Sequence, residues 1–277
     1  MAIIDGRKIR NDILEDVKKE VAKLSFQPVF CDVLVGDDPV SAQYVRMKAK
    51  TAESVGIKFH SADFPATITT EALIDEIKKI NTIQDICGII VQLPLPPHLD
   101  KRAILDAIDS HLDVDCLGTA ASSAFYADTS VLGFPTALAC MAILDTLHLD
   151  LSDKKIVVLG QGELVGRPVT HLFGRRNLQV DSVRRGTENK EVLIKNADVI
   201  ISGTGQGKFI TGDMVKAGVV IIDAGTSEST GGVVGDADLA SLENVVSYIS
   251  PVPGGVGPVT VAILLRNVLT VAQGISK

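Results

Sequence analysis

The sequence predicts an α/β protein of two domains, each built on a parallel sheet, with the last helix packing back on the first domain. Three observations carry this. At 277 residues the chain is longer than one small core needs. Apolar runs rich in Val and Ile alternate with amphipathic stretches, each run closed by a turn signal, which is the β-α-β rhythm of a parallel sheet. That rhythm lapses between Cys116 and Phe134, where small and polar residues such as Gly118-Thr119-Ala120-Ala121-Ser122-Ser123 dominate, and then restarts. The expected division is 1–118 with the closing helix 259–277 as one domain, and 119–258 as the other.

The first run, Val29 to Val35, is a strand, and a helix follows from Pro39 to Val55. Asp38 supplies the N-cap acid, Pro39 takes the first helical position and Gly56 ends it. Tyr44 and Lys48 lie four residues apart, hence on one helical face, where a phenol and an amine could act on one substrate. Half-exposed helix faces also commonly carry such residues. The next strand, Ile86 to Val91, runs into Gln92-Leu93-Pro94-Leu95-Pro96-Pro97. An amide thus stands at a carboxyl-terminal strand end, where open α/β sheets bind ligands, and the prolines stiffen the loop. Asp113-Val114-Asp115 follows a short helix; it reads either as a surface turn or as a carboxylate able to take two hydrogen bonds from a nitrogen-rich ring.

Beyond the lapse a helix begins near Pro135, and Lys155 to Leu159 then enters Gly160-Gln161-Gly162-Glu163-Leu164-Val165-Gly166. A helix through Leu172 and strands near Val180, Val199 and Val219 complete the block. A buried strand that ends in Gly-x-Gly and opens a helix brings backbone amides and the positive helix end to a pyrophosphate. The second domain therefore reads as a Rossmann-type dinucleotide-binding unit, although an ordinary strand-to-helix turn would use the same glycines and the spacing is G-x-G-x-x-x-G. The following strand ends Val183-Arg184-Arg185-Gly186-Thr187. Arginines at this position suit the extra phosphate of NADP, whereas an acid would suit the ribose of NAD, and Asp181 comes too early. A solvated loop charge is the alternative for the pair. The stretch Val259 to Val271 closes the chain with helical spacing.

The formal charge is −7 with scattered basic residues, so neither nucleic acid nor an anionic membrane surface is an expected partner. Cys31, Cys87, Cys116 and Cys140 form no C-x-x-C pair and read as buried thiols in a reducing compartment. The start lacks the basic and apolar regions of a signal peptide, and no apolar run is expected to reach membrane-spanning length, which makes the cytoplasm the expected location. The five histidines show no metal-binding spacing, and no G-x-S-x-G element is present.

The most specific stretch is Ser250-Pro251-Val252-Pro253-Gly254-Gly255-Val256-Gly257-Pro258-Val259-Thr260. Its prolines and glycines allow a rigid, closely approaching backbone just before a helix. It resembles the signature of the methylenetetrahydrofolate dehydrogenase/cyclohydrolase family. Tyr44-Val45-x-x-Lys48, Val91-Gln92-Leu93-Pro94-Leu95-Pro96, Asp113-Val114-Asp115, Val165-Gly166-x-Pro168 and Ile222-Asp223-Ala224-Gly225 match in the same order, from about Asp5 to the final helix.

The resemblance implies that Lys48 is the main acid/base group, that Tyr44 stacks near the pterin, that Gln92 supports Lys48 and that Asp115 holds the pterin ring. It implies substrate contacts from Pro253, Gly254 and Gly255, and cofactor contacts from Gly160, Gln161, Gly162, Gly166, Arg184, Arg185 and Thr226. The implied reactions are hydride transfer from 5,10-methylenetetrahydrofolate to NADP, with NAD less favoured, then hydrolysis of the methenyl product to 10-formyltetrahydrofolate. A homodimer serving one-carbon metabolism and purine biosynthesis is implied as well. Several positions depart from the pattern: Gln161-Gly162 for Arg-Ser, Arg184-Arg185 for His-Ser, Phe134-Pro135-Thr136-Ala137 for Pro-Cys-Thr-Pro, and Cys116-Leu117 for Gly-Phe. Another two-domain Rossmann dehydrogenase would leave the proline-glycine loop and Gln92 unexplained. A catalytically silent folate- or nucleotide-binding protein is the other rival, and retention of Tyr44, Lys48, Gln92 and Asp115 together argues against it.

Overall fold

The structure is a computed structural model that describes residues 1–229 and 232–276; residues 230, 231 and 277, which fall inside the expected domain ranges, lie outside the described residues. In chain order the first elements are β1 (Ala2–Ile3), α1 (Gly6–Val21), β2 (Val29–Val35), α2 (Pro39–Ser54), β3 (Lys58–Phe64), α3 (Thr70–Ile80) and β4 (Ile86–Val91). Then come α4 (Lys101–Leu105), α5 (Thr119–Tyr126), α6 (Pro135–Asp145), β5 (Ile156–Leu159), α7 (Gly166–Arg175), β6 (Val180–Val183), α8 (Lys190–Asn196) and β7 (Val199–Ser202). The chain closes with β8 (Val220–Asp223), β9 (Ser227–Ser229), β10 (Gly232–Val234), α9 (Leu239–Leu242), β11 (Tyr248–Ile249) and α10 (Val256–Ile275).

Two compact units result. One comprises Asp12–Pro135 with Val261–Lys277, the other Met1–Asn11 with Thr136–Thr260. In the first, a parallel sheet runs in the order β3-β2-β4. Strand β2 is central and buried along its whole length, as a parallel strand covered on both faces must be. Phe30, Ala52, Val55, Ile57 and Ile90 form the core with Val17 and Val21 of α1 and with Leu264, Leu265, Val268, Leu269 and Ala272 of α10. The closing helix thus packs on the first domain's core, as its apolar spacing predicts.

Helix α10 also corrects one expectation: by length and composition it is long and apolar enough to cross a membrane. Arg266 and Asn267 interrupt the apolar run in the sequence, but Asn267 is buried and its Nδ2 donates to the carbonyls of Val114, at 2.9 Å, and Gly133, at 2.8 Å. The polar break is satisfied inside the core, and the apolar faces around it are core faces.

The second unit carries a parallel sheet in the order β1-β11-β8-β7-β5-β6 and a separate antiparallel pair, β9 and β10. Val157, Leu159, Ile200 and Ile221 of the sheet pack with Ile194, Ala197 and Leu242.

The units divide between Pro135 and Thr136, where the sequence expectation was 118/119, and Met1–Asn11 joins the six-stranded unit. Both shifts have local causes. The stretch after Cys116 forms α5, whose Thr119 donates from N, at 2.6 Å, and from Oγ1, at 2.9 Å, to the Asp106 carboxylate. Phe125 then meets Phe134 edge to face with ring centroids 5.0 Å apart. Phe134, a departure from the family pattern, is therefore an aromatic core residue of the three-stranded unit. At the chain start, β1 pairs in parallel with β11, Ala2 opposite Tyr248 and Ile3 opposite Ile249.

Candidate active site

Lys48 lies on the buried stripe of α2 with Ser41, Val45 and Ala52. The helix is set by its cap: the Asp38 carboxylate accepts from Ser41 N at 2.7 Å, with Pro39 in the first turn, and this bond holds the Asp38 pKa down. Lys48 Nζ is 2.6 Å from Asp32 Oδ2 and donates to Gln92 Oε1 at 2.7 Å. Gln92 follows β4 as expected, and its Nε2 donates to Leu93 O at 2.8 Å. Tyr44, by contrast, is 43% exposed, so the two residues expected on one face occupy different surroundings.

Asp32 was not among the expected site residues. It is fully buried in the middle of β2, and apart from Lys48 its carboxylate has no hydrogen-bond partner among the described residues. Desolvation raises its pKa, an effect the Lys48 charge opposes. The signal was present in the sequence, as a single acid inside an otherwise apolar strand.

The Asp113-Val114-Asp115 motif divides its work. Asp113 is buried, its Oδ2 accepts from Gly118 N at 2.7 Å, and its backbone bridges to Ile89 of β4, so it ties the turn to the sheet. Asp115 keeps part of its surface exposed but is closely surrounded by protein; desolvation pushes its pKa up to about 7 against the opposing Lys48 charge. Cys116 follows with φ 59°, in the left-handed region that favours glycine. That explains why the family pattern carries glycine there. Cys31, Cys87, Cys116 and Cys140 are all free and buried, and burial raises every thiol, Cys31 to about 12.

In the six-stranded unit β5 runs into the glycine turn and α7. Gly160 has φ 86°, and a Cβ there would lie 2.6 Å from Gly203 O. A Cβ on Gly166 would overlap Gly160 O, whereas one on Gly162 would meet nothing. Gly160 and Gly166 therefore close the turn, and Gly162 faces open space. Gln161 folds back, its Nε2 donating to Gly160 O at 3.0 Å and Thr170 Oγ1 at 3.3 Å. Arg184 and Arg185 are exposed just after β6. Gly166→Ala is expected to lower stability by about 1–3 kcal/mol through overpacking, and Gly162→Ser to stay within about 0.5 kcal/mol. Thermal unfolding of the two variants checks this; equal losses would contradict it.

The carboxyl ends of β7 and β8 are organised by two buried acids. Asp223 accepts from the amides of Gly225, Asp236 and Ala237 at 2.9, 3.1 and 2.8 Å. Asp236 accepts from Ser202 Oγ at 2.6 Å and from the amides of Thr204 and Gln206 at 2.7 and 2.9 Å. Desolvation, added to by Asp236, pushes Asp223 up to about 6 despite these amides. They shape the loop bearing Thr226, which is exposed. After β11 the Pro253-Gly254-Gly255 loop turns with Gly254 at φ 106° and Gly255 N donating to Pro251 O at 2.7 Å. It seats against Gly6, whose N donates to Gly254 O at 3.1 Å.

A glycine turn opening a helix at the carboxyl edge of a parallel sheet defines the six-stranded unit as Rossmann-type. Residues 4–115 match the family model for the tetrahydrofolate dehydrogenase/cyclohydrolase catalytic domain, and residues 135–275 that for its NAD(P)-binding domain. The chain belongs to the tetrahydrofolate dehydrogenase/cyclohydrolase family. The bifunctional protein FolD of Halothermothrix orenii is 38% identical over 271 residues, covering 96% of this chain and 95% of that protein. That of Nautilia profundicola is 38% identical over 281 residues, covering 100% and 99%. Among solved structures, the Campylobacter jejuni bifunctional FolD enzyme superposes with a TM-score of 0.94 at 34% identity, covering 99% of each chain. The Trypanosoma brucei enzyme, solved with NADP and an inhibitor, gives 0.92 at 33% identity, covering 99% of this chain and 98% of that one. Shikimate dehydrogenase from Aquifex aeolicus, 14% identical with a TM-score of 0.54 and coverage of 90% and 97%, shares the fold alone.

Proposed function

We propose that this chain oxidises 5,10-methylenetetrahydrofolate to the methenyl compound with NADP and hydrolyses that product to 10-formyltetrahydrofolate. The observation that supports it most directly is a buried lysine, Lys48, between a carboxylate and an amide oxygen, with Asp115 in its field, in a member of this family. In this reading the three-stranded unit binds folate and the six-stranded unit binds the cofactor.

The residues fit NADP: the glycine turn leaves open space at Gly162, and the arginine pair stands exposed at the end of β6. Gly160, Gln161, Gly162 and Gly166 would hold the pyrophosphate, Arg184 and Arg185 the 2'-phosphate, and Thr226 a further part of the nucleotide. When bound, the cofactor accepts the hydride. Asp115 grips the pterin through two hydrogen bonds, Tyr44 stacks on it, and Pro253, Gly254 and Gly255 add backbone contacts to the substrate. In hydrolysis, water adds to the methenyl carbon and yields a proton to Lys48. Lys48 returns that proton to the ring nitrogen as the carbon–nitrogen bond breaks, the remaining hydroxyl proton leaves to solvent as the formyl carbonyl forms, and Gln92 keeps the amine in line.

Absorbance of methenyltetrahydrofolate, followed as it forms and decays with NADP and with NAD, tests the reading. No formation with either cofactor would favour a silent binding protein. The same reading makes the protein a cytoplasmic homodimer with no nucleic-acid or membrane partner, and sedimentation velocity tests the dimer.

Asp115→Ala should weaken folate binding about 5- to 150-fold while leaving cofactor binding near normal, because donors of a desolvated heterocycle lose their acceptor. Folate affinity should also depend on pH. With the free carboxyl titrating near 7, the ionised acceptor is lost as pH falls below that value, so affinity should drop toward tenfold per pH unit. Asp115→Asn should flatten the profile. Direct titration between pH 5 and 8 measures both effects, and unchanged affinity in Asp115→Ala would return Asp115 to a surface turn.

A further inference from the structure

Nothing in the family pattern above includes Asp32, yet its carboxylate is the group nearest to Lys48. It lies at mid-strand in β2, opposite Ser61 of β3 and Ile90 of β4, in a layer that otherwise holds Phe30, Ile90, Ala52 and Val55. A carboxylate in such a layer is costly unless compensated, and apart from Lys48 neither oxygen has a hydrogen-bond partner among the described residues. What faces Asp32 is Lys48, at 2.6 Å.

The valence of the amine gives this contact its meaning. An ammonium has three N–H bonds, and a neutral amine has two and a lone pair. Two acceptors occupy two of these directions: Asp32 Oδ2 at 2.6 Å and Gln92 Oε1 at 2.7 Å. Gln92 is itself held by its bond to Leu93 O, so it presents its oxygen to the lysine. One direction is left, as an N–H or a lone pair according to protonation. The stem of Lys48 is fixed on the α2 stripe, so Asp32 and Gln92 together set where that direction points.

We propose that Asp32 is a positioning residue for Lys48, aiming the one N–H or lone pair left for chemistry and supplying the counter-charge beside it. The inference rests on the reaction proposed above. Other charged or titratable groups in the neighbourhood are Asp63 on β3, Asp115 from the turn before α5, the thiol of Cys31 beside Asp32 and, exposed on α2, Tyr44. Asp63 and Asp115 are acids that add to the same negative field. Asp32 differs from them in lying at ion-pair distance, and in being fully buried.

Two substitutions separate charge from aim. Asp32→Asn keeps an acceptor and removes the charge; Asp32→Val removes both and suits a strand whose other residues are mostly apolar. In Asp32→Asn the pH at which cyclohydrolase activity rises should move down by about one to three units, since an opposite charge at this distance acts on that scale. Its maximal kcat should stay within about tenfold of the parent. Asp32→Val should show the same shift and lose about 100-fold in kcat, the scale of a misaimed group, with KM for folate within about threefold. A purely structural residue would lower active enzyme without moving the profile.

A second measurement needs no substrate. In 15N-lysine-labelled protein a Lys48 ammonium held in a buried pair should give an exchange-protected Nζ resonance, identified by its loss in Lys48→Met. Its exchange should be more than about tenfold faster in both Asp32 variants. Parent-like kcat and pH profile in both variants, persistence of the resonance in Asp32→Val, or its absence from the parent would overturn the proposal. If the parent itself fails to hydrolyse methenyltetrahydrofolate, the reaction assigned above falls, and the resonance alone decides whether Asp32 holds Lys48.

Discussion

Lys48→Met is expected to slow hydrolysis of methenyltetrahydrofolate by about 100- to 10,000-fold while damaging the oxidation step less. Methionine keeps the length of the side chain and removes the amine. Positioned proton transfer contributes on that scale, and in the proposed reaction the acid/base group is this amine, bonded to Gln92 and acting on Asp115 through its charge. Hydride transfer depends on holding two rings face to face, for which the amine is not needed. The substitution also leaves the Asp32 carboxylate buried without its cation, and breaking such a pair from one side typically costs about 3–5 kcal/mol. Thermal unfolding and retained cofactor binding must therefore accompany the kinetics. A folded Lys48→Met enzyme that hydrolyses at nearly the parent rate would remove Lys48 from the mechanism.

The second large effect is expected at the arginine pair. Arg185→Ala, and to a lesser degree Arg184→Ala, should cut the preference for NADP over NAD by about 10- to 150-fold, because an arginine can grip a phosphate through two parallel hydrogen bonds. Kinetics with NAD should barely change. Gln161, which stands where the family pattern carries an arginine, folds back onto Gly160 and Thr170, and the proposed reading therefore gives the phosphate to residues beyond β6. The measurement is the ratio of kcat/KM values for the two cofactors in the parent and both variants. An unchanged ratio, or a parent that prefers NAD, would make the pair a solvated loop.

How much of this was legible depends on what kind of signal each residue emits. β2, α2, β4 and the block from β5 to β8 announce themselves through Val/Ile runs, an Asp-Pro start and glycine stops, because those signals are local. Helix α5 does not. Its small residues have weak periodicity, and what starts it is Asp106, thirteen positions earlier, capping Thr119. The domain boundary shifted for the same reason. Asp32 stayed hidden because one acid does not break the strand pattern of Val29 to Val35, and the lysine that compensates it lies on another element. Asp223 was visible only as part of a matching motif, and its work with Asp236 on three loops is a long-range property. Gly160 and Gly166 differ from Gly162 in the backbone that closes on them in the fold, a difference that the glycine spacing does not carry.

The core around the Lys48-bearing sheet is completed by Leu264, Leu265, Val268, Leu269 and Ala272, and the turn carrying Asp115 is held partly by the Asn267 amide. Synthesis delivers these residues after the whole main segment of the other unit. Domains whose residues are contiguous can fold as they leave the ribosome, but here Asp12–Pro135 must wait, with an open apolar face, until the intervening unit and the helix after it have been made. The six-stranded unit waits less, since only Met1–Asn11 comes from outside its main segment, and that piece is made first. A released chain truncated after Thr260 should therefore resist protease in the later-made unit and remain digestible in the earlier-made one, a reversal of the usual vectorial order.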